Sequence, residues 1–139
     1  MHHYTDSLIK NILEATKTIA VVGISARETQ PSHAVAKYLQ NHGFTIIPVN
    51  PVLESVLGEK CYPSLKDIPL RVDMVDCFRA PEHIPALVRE AIEIGAQTVW
   101  MQLGIEEPVS CKLAESKGLQ VIEDQCIKIE HQRIFIQTL

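Results

Sequence analysis

The loop that follows the apolar run at residues 18–22 carries groups that can bind a phosphate. Gly23 permits a tight turn and a close approach of a ligand to the backbone. Ser25 and Ser32 add hydroxyl donors, and Arg27 adds a guanidinium. The helix expected after the loop offers free backbone N–H groups and the positive end of its dipole. Only the first of the three glycines of a dinucleotide-binding fingerprint is present, so an ordinary strand–helix turn with Ser32 as the cap explains the loop equally well.

The end of the next apolar run lacks the carboxylate that a nicotinamide dinucleotide site usually places on the ribose. The chain has Pro48-Val49-Asn50-Pro51 there instead. Two prolines around an asparagine make a rigid turn, which can hold a flat ring against the backbone without a charged partner. The missing carboxylate therefore makes an NAD site less expected. A turn with a purely structural role is the alternative interpretation of the same residues.

Cys126 and His131 are close enough in sequence to suggest an activated thiolate, with Asp124 or Glu130 orienting the imidazole. Packing of this segment over a cleft explains the same residues better, because proximity in sequence does not provide hydrogen-bond geometry. Asp76 lies inside an apolar run, and we expect it to accept hydrogen bonds from loop N–H groups. The four cysteines form no C-x-x-C pair and no Cys/His ligand spacing, so a zinc site is not expected.

Strand and helix patterns alternate along the whole chain. Continuous apolar runs predict five buried strands, and amphipathic periods that end near glycines predict the helices between them. This alternation predicts an α/β fold, a Rossmann-like doubly wound parallel sheet of five strands, in the spatial order third, second, first, fourth and fifth. The predicted strands are 18–22, 44–49, 72–78, 98–103 and 119–122, with a short final strand at 133–138; the predicted helices are about 5–16, 31–43, 81–95 and 108–118; residues 52–70 are a long connection.

The length of 139 residues predicts one domain, 1–139, and the hydrophobic content of 46% predicts a packed core. A net charge of −4 and an aromatic content of 5% argue against nucleic acid as a partner, because phosphates and bases require clustered cations and stacking rings. No apolar run approaches the roughly 20 residues that span a membrane. We expect no membrane partner and, since no secretory signal is visible, a cytoplasmic location.

Taken in order, the motifs resemble those of the small stand-alone CoA-binding proteins, which are related to the CoA-binding Rossmann domain of the succinyl-CoA synthetase α subunit. Each motif alone is weak, but the ordered set extends from residue 18 to residue 131. The matching motifs are Val22-Gly23-Ile24-Ser25, Pro31-Ser32, Val35-Ala36-Lys37-Tyr38-Leu39, Ile47-Pro48-Val49-Asn50-Pro51, Gly58-Glu59-Lys60, Tyr62-Pro63-Ser64-Leu65, Val75-Asp76, Phe78-Arg79, Trp100-Met101-Gln102-Leu103-Gly104-Ile105 and Asp124-Gln125-Cys126-Ile127-Lys128-Ile129-Glu130-His131.

The resemblance implies a domain that binds coenzyme A, or an acyl-CoA, through the adenosine diphosphate part of the ligand. His33 departs from the aromatic residue or asparagine expected in relatives, which leaves its contact open. The implied binding residues are Gly23, Ile24, Ser25, Arg27 and Ser32 for the phosphates, Asn50, Pro51 and Tyr62 for the adenine and ribose, and Phe78, Arg79, Gln102 and Gly104 toward the pantetheine arm.

The resemblance does not extend to ligase chemistry. In succinyl-CoA synthetase a second α-subunit domain forms a phosphohistidine and a β subunit binds the nucleotide, whereas this chain ends soon after the first domain. We therefore expect binding in a non-catalytic or regulatory role. Two alternatives stay open: a sensor or small oxidoreductase that binds NAD or another nucleotide, and a subunit-type interaction module with a degenerate pocket.

Two further expectations concern partners and redox chemistry. The sheet edge or the helical face Leu8-Ile9-Ile12-Leu13 is a candidate surface for a homodimer. Cys61 and Cys126 lie in segments expected near the cleft, so either thiol is a candidate for a mixed disulfide with the CoA thiol.

Overall fold

The computed structural model of the protein describes residues 3–136, and it confirms an α/β fold with a five-stranded parallel sheet. The sheet is flanked by helices, and a two-stranded hairpin lies in the long connection after the second strand. In chain order the elements are α1 (Asp6–Ala15), β1 (Thr18–Val22), α2 (Pro31–Asn41), β2 (Thr45–Val49), β3 (Ser55–Val56), β4 (Glu59–Lys60), a 3₁₀ turn (Leu65–Asp67), β5 (Met74–Cys77), a 3₁₀ turn (Pro81–His83), α3 (Ile84–Glu93), β6 (Thr98–Met101), α4 (Pro108–Ser116), β7 (Gln120–Ile122), α5 (Ile127–His131) and a π-helical turn (Gln132–Ile136).

The strands lie in the order β2-β1-β5-β6-β7, so the predicted order was wrong: the third long strand pairs with the first rather than with the second. Two contacts explain this placement. The chain after β2 folds back along it, with Tyr62 bridging to Val49, and so occupies the outer edge of β2. The Asp73 carboxylate accepts hydrogen bonds from the N–H groups of Lys17 and Thr18, at 2.9 and 3.0 Å, which fixes the start of β5 beside the start of β1.

The observed order moves the point where the chain reverses direction across the sheet. In the predicted order this point falls between the first and fourth strands, whereas here it falls between β1 and β5. Ligands of open parallel sheets bind beyond the carboxyl ends of the strands at this reversal. The loops that follow β1 and β5 are therefore the neighbours from which a binding site is built.

Alternate residues of each strand enter two separate cores, one on each face of the sheet, as a doubly wound fold requires. Helices α3 and α4 cover one face, and α1, α2 and α5 cover the other. Trp100 is fully buried, and its indole N–H donates to the Gln125 carbonyl at 2.9 Å. The apolar face of α1, with Ile9, Ile12 and Leu13, is buried inside the chain, so it is not the free surface that a homodimer requires.

The helix ends follow the signals in the sequence, except at the start of α2. Thr5 caps α1 by accepting the N–H of Leu8 on its side-chain hydroxyl, which agrees with the predicted start of this helix near residue 5. The N-cap of α2 is Gln30 rather than Ser32. Residues 52–70 contain the unpredicted hairpin β3–β4, whose turn residues Leu57 and Gly58 both have positive φ angles, of 54° and 77°. A hairpin with two residues per strand is too short to show a period of two.

The predicted final strand at 133–138 was also wrong. Residues 127–136 continue as α5 and the π-helical turn, and residues 137–138 lie outside the described part of the chain. The Tyr38 hydroxyl and His131 Nδ1 are 2.7 Å apart, and this contact holds α5 against α2. The apolar residues of this segment pack on a helix, so their spacing does not report a strand. No helix within residues 3–136 has the length and apolar character needed to cross a membrane.

Candidate functional site

Gly23 lies where the ends of three strands meet. Its N–H donates to the Val49 carbonyl at 3.0 Å, and its φ is +87°. A methyl group in place of its hydrogen would lie 2.5 Å from the Phe78 carbonyl oxygen and 2.9 Å from Arg79 Cδ. Only glycine therefore lets the loop after β1 pass this closely over the loop after β5. The requirement is stricter than the tight turn that the sequence suggested.

Two serine hydroxyls hold the loop that follows Gly23. Ser32 Oγ accepts the N–H of Ser25 at 2.9 Å, and Ser25 Oγ accepts the N–H of Arg27 at 3.0 Å. Each hydroxyl keeps its own proton, which it can donate to a further acceptor. Ser32 thus joins the loop to α2 instead of capping that helix. His33 Nδ1 lies 2.9 Å from the Ser25 carbonyl oxygen, so the histidine contacts the loop backbone.

Substituting Ser32 with alanine should lower the free energy of unfolding by about 1–2 kcal/mol, because the half-buried N–H of Ser25 loses its acceptor. Ser116→Ala is the matched control, since that hydroxyl is exposed and donates to a carbonyl of its own helix. We expect the control to change stability by less than about 0.5 kcal/mol in chemical denaturation. Equal losses in the two variants would show that the contact with Ser25 does not stabilise the loop.

The Asn50-Pro51 turn is held by hydrogen bonds within the protein. Asn50 Nδ2 donates to the Ile24 carbonyl and Asn50 Oδ1 accepts the N–H of Val52, both at 2.9 Å. The backbone N–H of Asn50 donates to Tyr62. The amide side chain therefore positions the loop after β1, and the exposed Pro51 is the residue of this pair that faces a cavity.

Two cavities lie at the carboxyl ends of the strands. The larger one, of about 520 Å³, is formed by the N-terminal end of α2, the loops after β5 and β6, and the start of α5. The smaller one, of about 190 Å³, lies between the end of β2, the connection after it and α3. Arg79 lines both, and its aliphatic stem lies against Gly23. This arginine is therefore the wall residue that the two cavities share.

The structure brings together some of the residues proposed from the sequence. Phe78, Arg79, Gln102 and Gly104 line the larger cavity together, and Pro51 and Arg79 line the smaller one. The other proposed residues line neither of these two cavities: Gly23, Ile24, Ser25, Arg27, Ser32, Asn50 and Tyr62. Sequence reasoning missed several mainly apolar wall residues: Pro31, Val35, Ala80, Pro81, Leu103 and Ile105 in the larger cavity, and Pro63, Ser64, Leu65, Leu87 and Glu90 in the smaller. A signal existed at Pro31 and Pro81, because both begin helical segments directly after strand-end loops.

A buried carboxyl group lies behind the larger cavity. Asp76 is fully buried and accepts a short hydrogen bond from Gln102 Nε2, rather than from loop N–H groups as predicted. Its other oxygen, Oδ2, has no hydrogen-bond partner among residues 3–136. Burial raises the pKa of Asp76 to about 7. Gln102 Oε1 in turn accepts the N–H of Ile127 at 3.4 Å, so the amide connects the sheet to the start of α5.

The two cysteine hypotheses have different outcomes. Cys126 lines the larger cavity, whereas Cys61 is buried beside Asn50 and burial raises the pKa of its thiol. His131 packs between the rings of Tyr38 and Phe135 and makes its hydrogen bond to Tyr38. This geometry supports the packing interpretation of the segment over an activated Cys–His pair. Within residues 3–136 no cluster of three or more His, Cys, Asp or Glu side chains is arranged to hold a metal.

Comparison with known proteins agrees with this geometry. Residues 17–132 match the family model described as a CoA binding domain. The chain belongs to this family of CoA-binding domains. The match includes both strand-end loops around Gly23 and Arg79, and it confirms the resemblance that the motifs indicated. The more distant relation to succinyl-CoA synthetase stays a prediction.

Relatives of this CoA-binding domain occur alone and as parts of larger enzymes. The uncharacterized protein YneT of Bacillus subtilis is 40% identical over 131 residues, which are 94% of this chain and 97% of YneT. A solved hypothetical protein of Pyrococcus horikoshii is 38% identical, with a TM-score of 0.91 over 96% of this chain and 99% of its own. ADP-forming acetate–CoA ligase I of Archaeoglobus fulgidus is 30% identical over 123 residues, but these are 80% of this chain and only 18% of the ligase.

Proposed function

We propose that the protein binds coenzyme A or an acyl-CoA in a non-catalytic or regulatory role. In this proposal the pyrophosphate lies between the Gly23 loop and Arg79, the adenosine occupies the smaller cavity beside Pro51, and the pantetheine arm extends into the larger cavity. The family match supports the ligand class. The observation that carries the placement is the position of Arg79, whose side chain lies against Gly23 and lines both cavities.

The charge at the junction supports a phosphate. Arg79 has no carboxylate partner within ion-pair distance among the described residues, so its guanidinium is available to an anion. Guanidinium–phosphate hydrogen bonds are charge-assisted and often bidentate. The hydroxyls of Ser25 and Ser32 add two donors close to each other, because Ser25 lies in the loop and Ser32 lies in the first turn of α2, beside it. Together these groups provide local positive potential in a chain whose net charge is −4.

The same geometry makes NAD a poorer candidate. The strand tip that carries a ribose-binding carboxylate in NAD sites has Asn50, and both ends of its amide are used within the protein. A role in binding is favoured over catalysis because Arg79 and Cys126 are the ionisable side chains that line the larger cavity. A guanidinium does not exchange protons near neutral pH, so it cannot serve as a general acid or base. The cytoplasmic location and the absence of a nucleic-acid partner stay predictions.

Arg79→Gln should weaken CoA binding by about 10–100-fold in calorimetry, because charge-assisted hydrogen bonds contribute about 1.5–3 kcal/mol. The affinity of the unaltered protein should fall as salt is added, and that dependence should become smaller in the variant. Arg89→Gln is the matched control, since Arg89 is exposed on α3 and lines neither cavity. Parallel titrations with NAD and ATP complete the test. Clear binding of NAD with no binding of CoA would overturn the proposal.

A further inference from the structure

We infer that the larger cavity selects CoA thioesters whose acyl group is neutral and apolar, and that it disfavours thioesters that end in a carboxylate. This inference rests on the proposed function, which places the thiol end of CoA in that cavity. Three features of its wall support it: apolar side chains, backbone and side-chain donors that are already used, and the carboxylate of Asp124 beside Gly104.

The wall of the larger cavity is mainly apolar. Val35 and Phe78 lie on one side, and Leu103 and Ile105 follow β6 on the other. Leu103 is 61% exposed, so an apolar ligand that covers it removes hydrocarbon from water. The volume of about 520 Å³ lies within the range of roughly 300–1,000 Å³ that is typical of small-molecule sites. Burial of an acyl chain here therefore adds affinity with each methylene group.

Three hydrogen-bond donors of the wall are used within the protein. Gln102 Nε2 donates to Asp76, and the N–H of Ile105 donates to the Gln102 carbonyl at 3.0 Å. The N–H of Gly104 donates to Asp124 Oδ1 at 2.7 Å. A carboxylate that leaves water needs donors to replace its hydration, and the N–H groups of Gly104 and Ile105 would have to break existing bonds to supply them.

The charges near the cavity act in the same direction. The Asp124 carboxylate accepts the N–H of Gly104, which belongs to the wall. Arg79 is the cationic side chain that lines this cavity, and the proposed function assigns it to the pyrophosphate. A second anion at the acyl end would thus lie near the Asp124 carboxylate and find no second cationic side chain among the wall residues.

Butyryl-CoA and succinyl-CoA test the inference most sharply, because their four-carbon acyl groups differ by a terminal carboxylate. Calorimetry should give butyryl-CoA at least a tenfold tighter dissociation constant than succinyl-CoA. Along acetyl-, propionyl- and butyryl-CoA, affinity should rise by up to about fourfold per methylene, as the transfer free energy of a buried methylene predicts. Leu103→Lys should shift the preference toward succinyl-CoA by about tenfold. Val109→Lys, at a residue that is 76% exposed and outside the cavity wall, should leave the ratio unchanged.

The outcomes separate this inference from the proposed function. If neither CoA nor any thioester binds, the proposed function fails. If CoA binds and succinyl-CoA binds as tightly as butyryl-CoA, or if acylation abolishes binding, the selection of apolar acyl groups fails while CoA binding stands. A shift of the ratio by Val109→Lys as large as that by Leu103→Lys would show that net charge, and not the cavity wall, sets the preference.

Discussion

Asp76→Asn should stabilise the protein by about 2–4 kcal/mol at pH 8 and change its stability little near pH 3. The carboxyl group is fully buried, and burial raises its pKa from 3.8 to about 7. Asparagine keeps an acceptor for Gln102 Nε2 and carries no charge. The variant therefore removes the cost of ionising a buried group while it preserves the contact behind the larger cavity.

The direction follows from proton binding in the two states. Between pH 4 and pH 7 the folded protein holds the Asp76 proton more tightly than the unfolded chain does, so its contribution makes stability fall as pH rises. This loss of stability begins above the unfolded pKa of 3.8 and develops fully above the folded pKa of about 7. The difference between the two pKa values corresponds to roughly 4 kcal/mol of stability. Urea denaturation at intervals from pH 3 to pH 8 measures it in the unaltered protein and the variant.

Asp73 provides a control of opposite sign three residues earlier. Burial raises the pKa of Asp73. The hydrogen bonds from Lys17 and Thr18, together with the charge of Arg71, lower that pKa by a larger amount, so it lies below its usual value. Asp73→Asn should consequently reduce stability at neutral pH, and that loss should shrink as pH falls through the folded pKa. If the effect of Asp76→Asn on stability varies with pH in the same direction as that of Asp73→Asn, burial does not raise the pKa of Asp76.

Gly23→Ala should lower the free energy of unfolding by about 2–5 kcal/mol and weaken CoA binding by at least tenfold. Alanine at φ +87° costs about 1–2 kcal/mol in backbone strain. Its methyl group would also lie 2.5 Å from the Phe78 carbonyl, which forces the two strand-end loops apart at a further cost of roughly 1–3 kcal/mol. Separating these loops moves Arg79 away from the position proposed for the pyrophosphate.

Gly118→Ala is the control that measures backbone strain alone, so the difference between the two variants is the steric part of the effect. Gly118 has nearly the same φ, +86°, but a methyl group there meets nothing within 4 Å. Chemical denaturation should therefore show only the strain term, about 1–2 kcal/mol, and calorimetry should show unchanged CoA affinity. Equal losses of stability in the two variants would show that contact with the loop after β5 is not what requires glycine at position 23.

Much of the fold follows from local patterns in the sequence. The five buried strands, four of the helices and the position of the loop after β1 are all visible as apolar runs, helical periods and glycine positions. The lateral order of the strands is not visible, because strands buried on both faces look alike whichever neighbour they have. It depends on distant contacts, such as that of Asp73 with the start of β1 and that of Tyr62 with β2.

The candidate site was only partly predictable for a related reason. Chemistry-bearing residues such as Ser32 and Asn50 stand out in a sequence, yet their hydrogen bonds are made to the backbone of the loop they position. Apolar wall residues such as Val35 and Ile105 look like core in a sequence, and only the folded chain shows that they line a cavity. Arg79 was predicted to line the cleft, and its place in the wall of both cavities depends on the strand order, which local patterns do not show.

A crystal structure of the protein with bound CoA tests the central claim most directly. We expect the pyrophosphate within hydrogen-bond distance of the Arg79 guanidinium and over the Gly23 loop, with the adenine at the Pro51 side and the pantetheine arm between Phe78 and Leu103. CoA bound at another surface, or bound with its phosphates away from both Arg79 and the Gly23 loop, would contradict the proposed site.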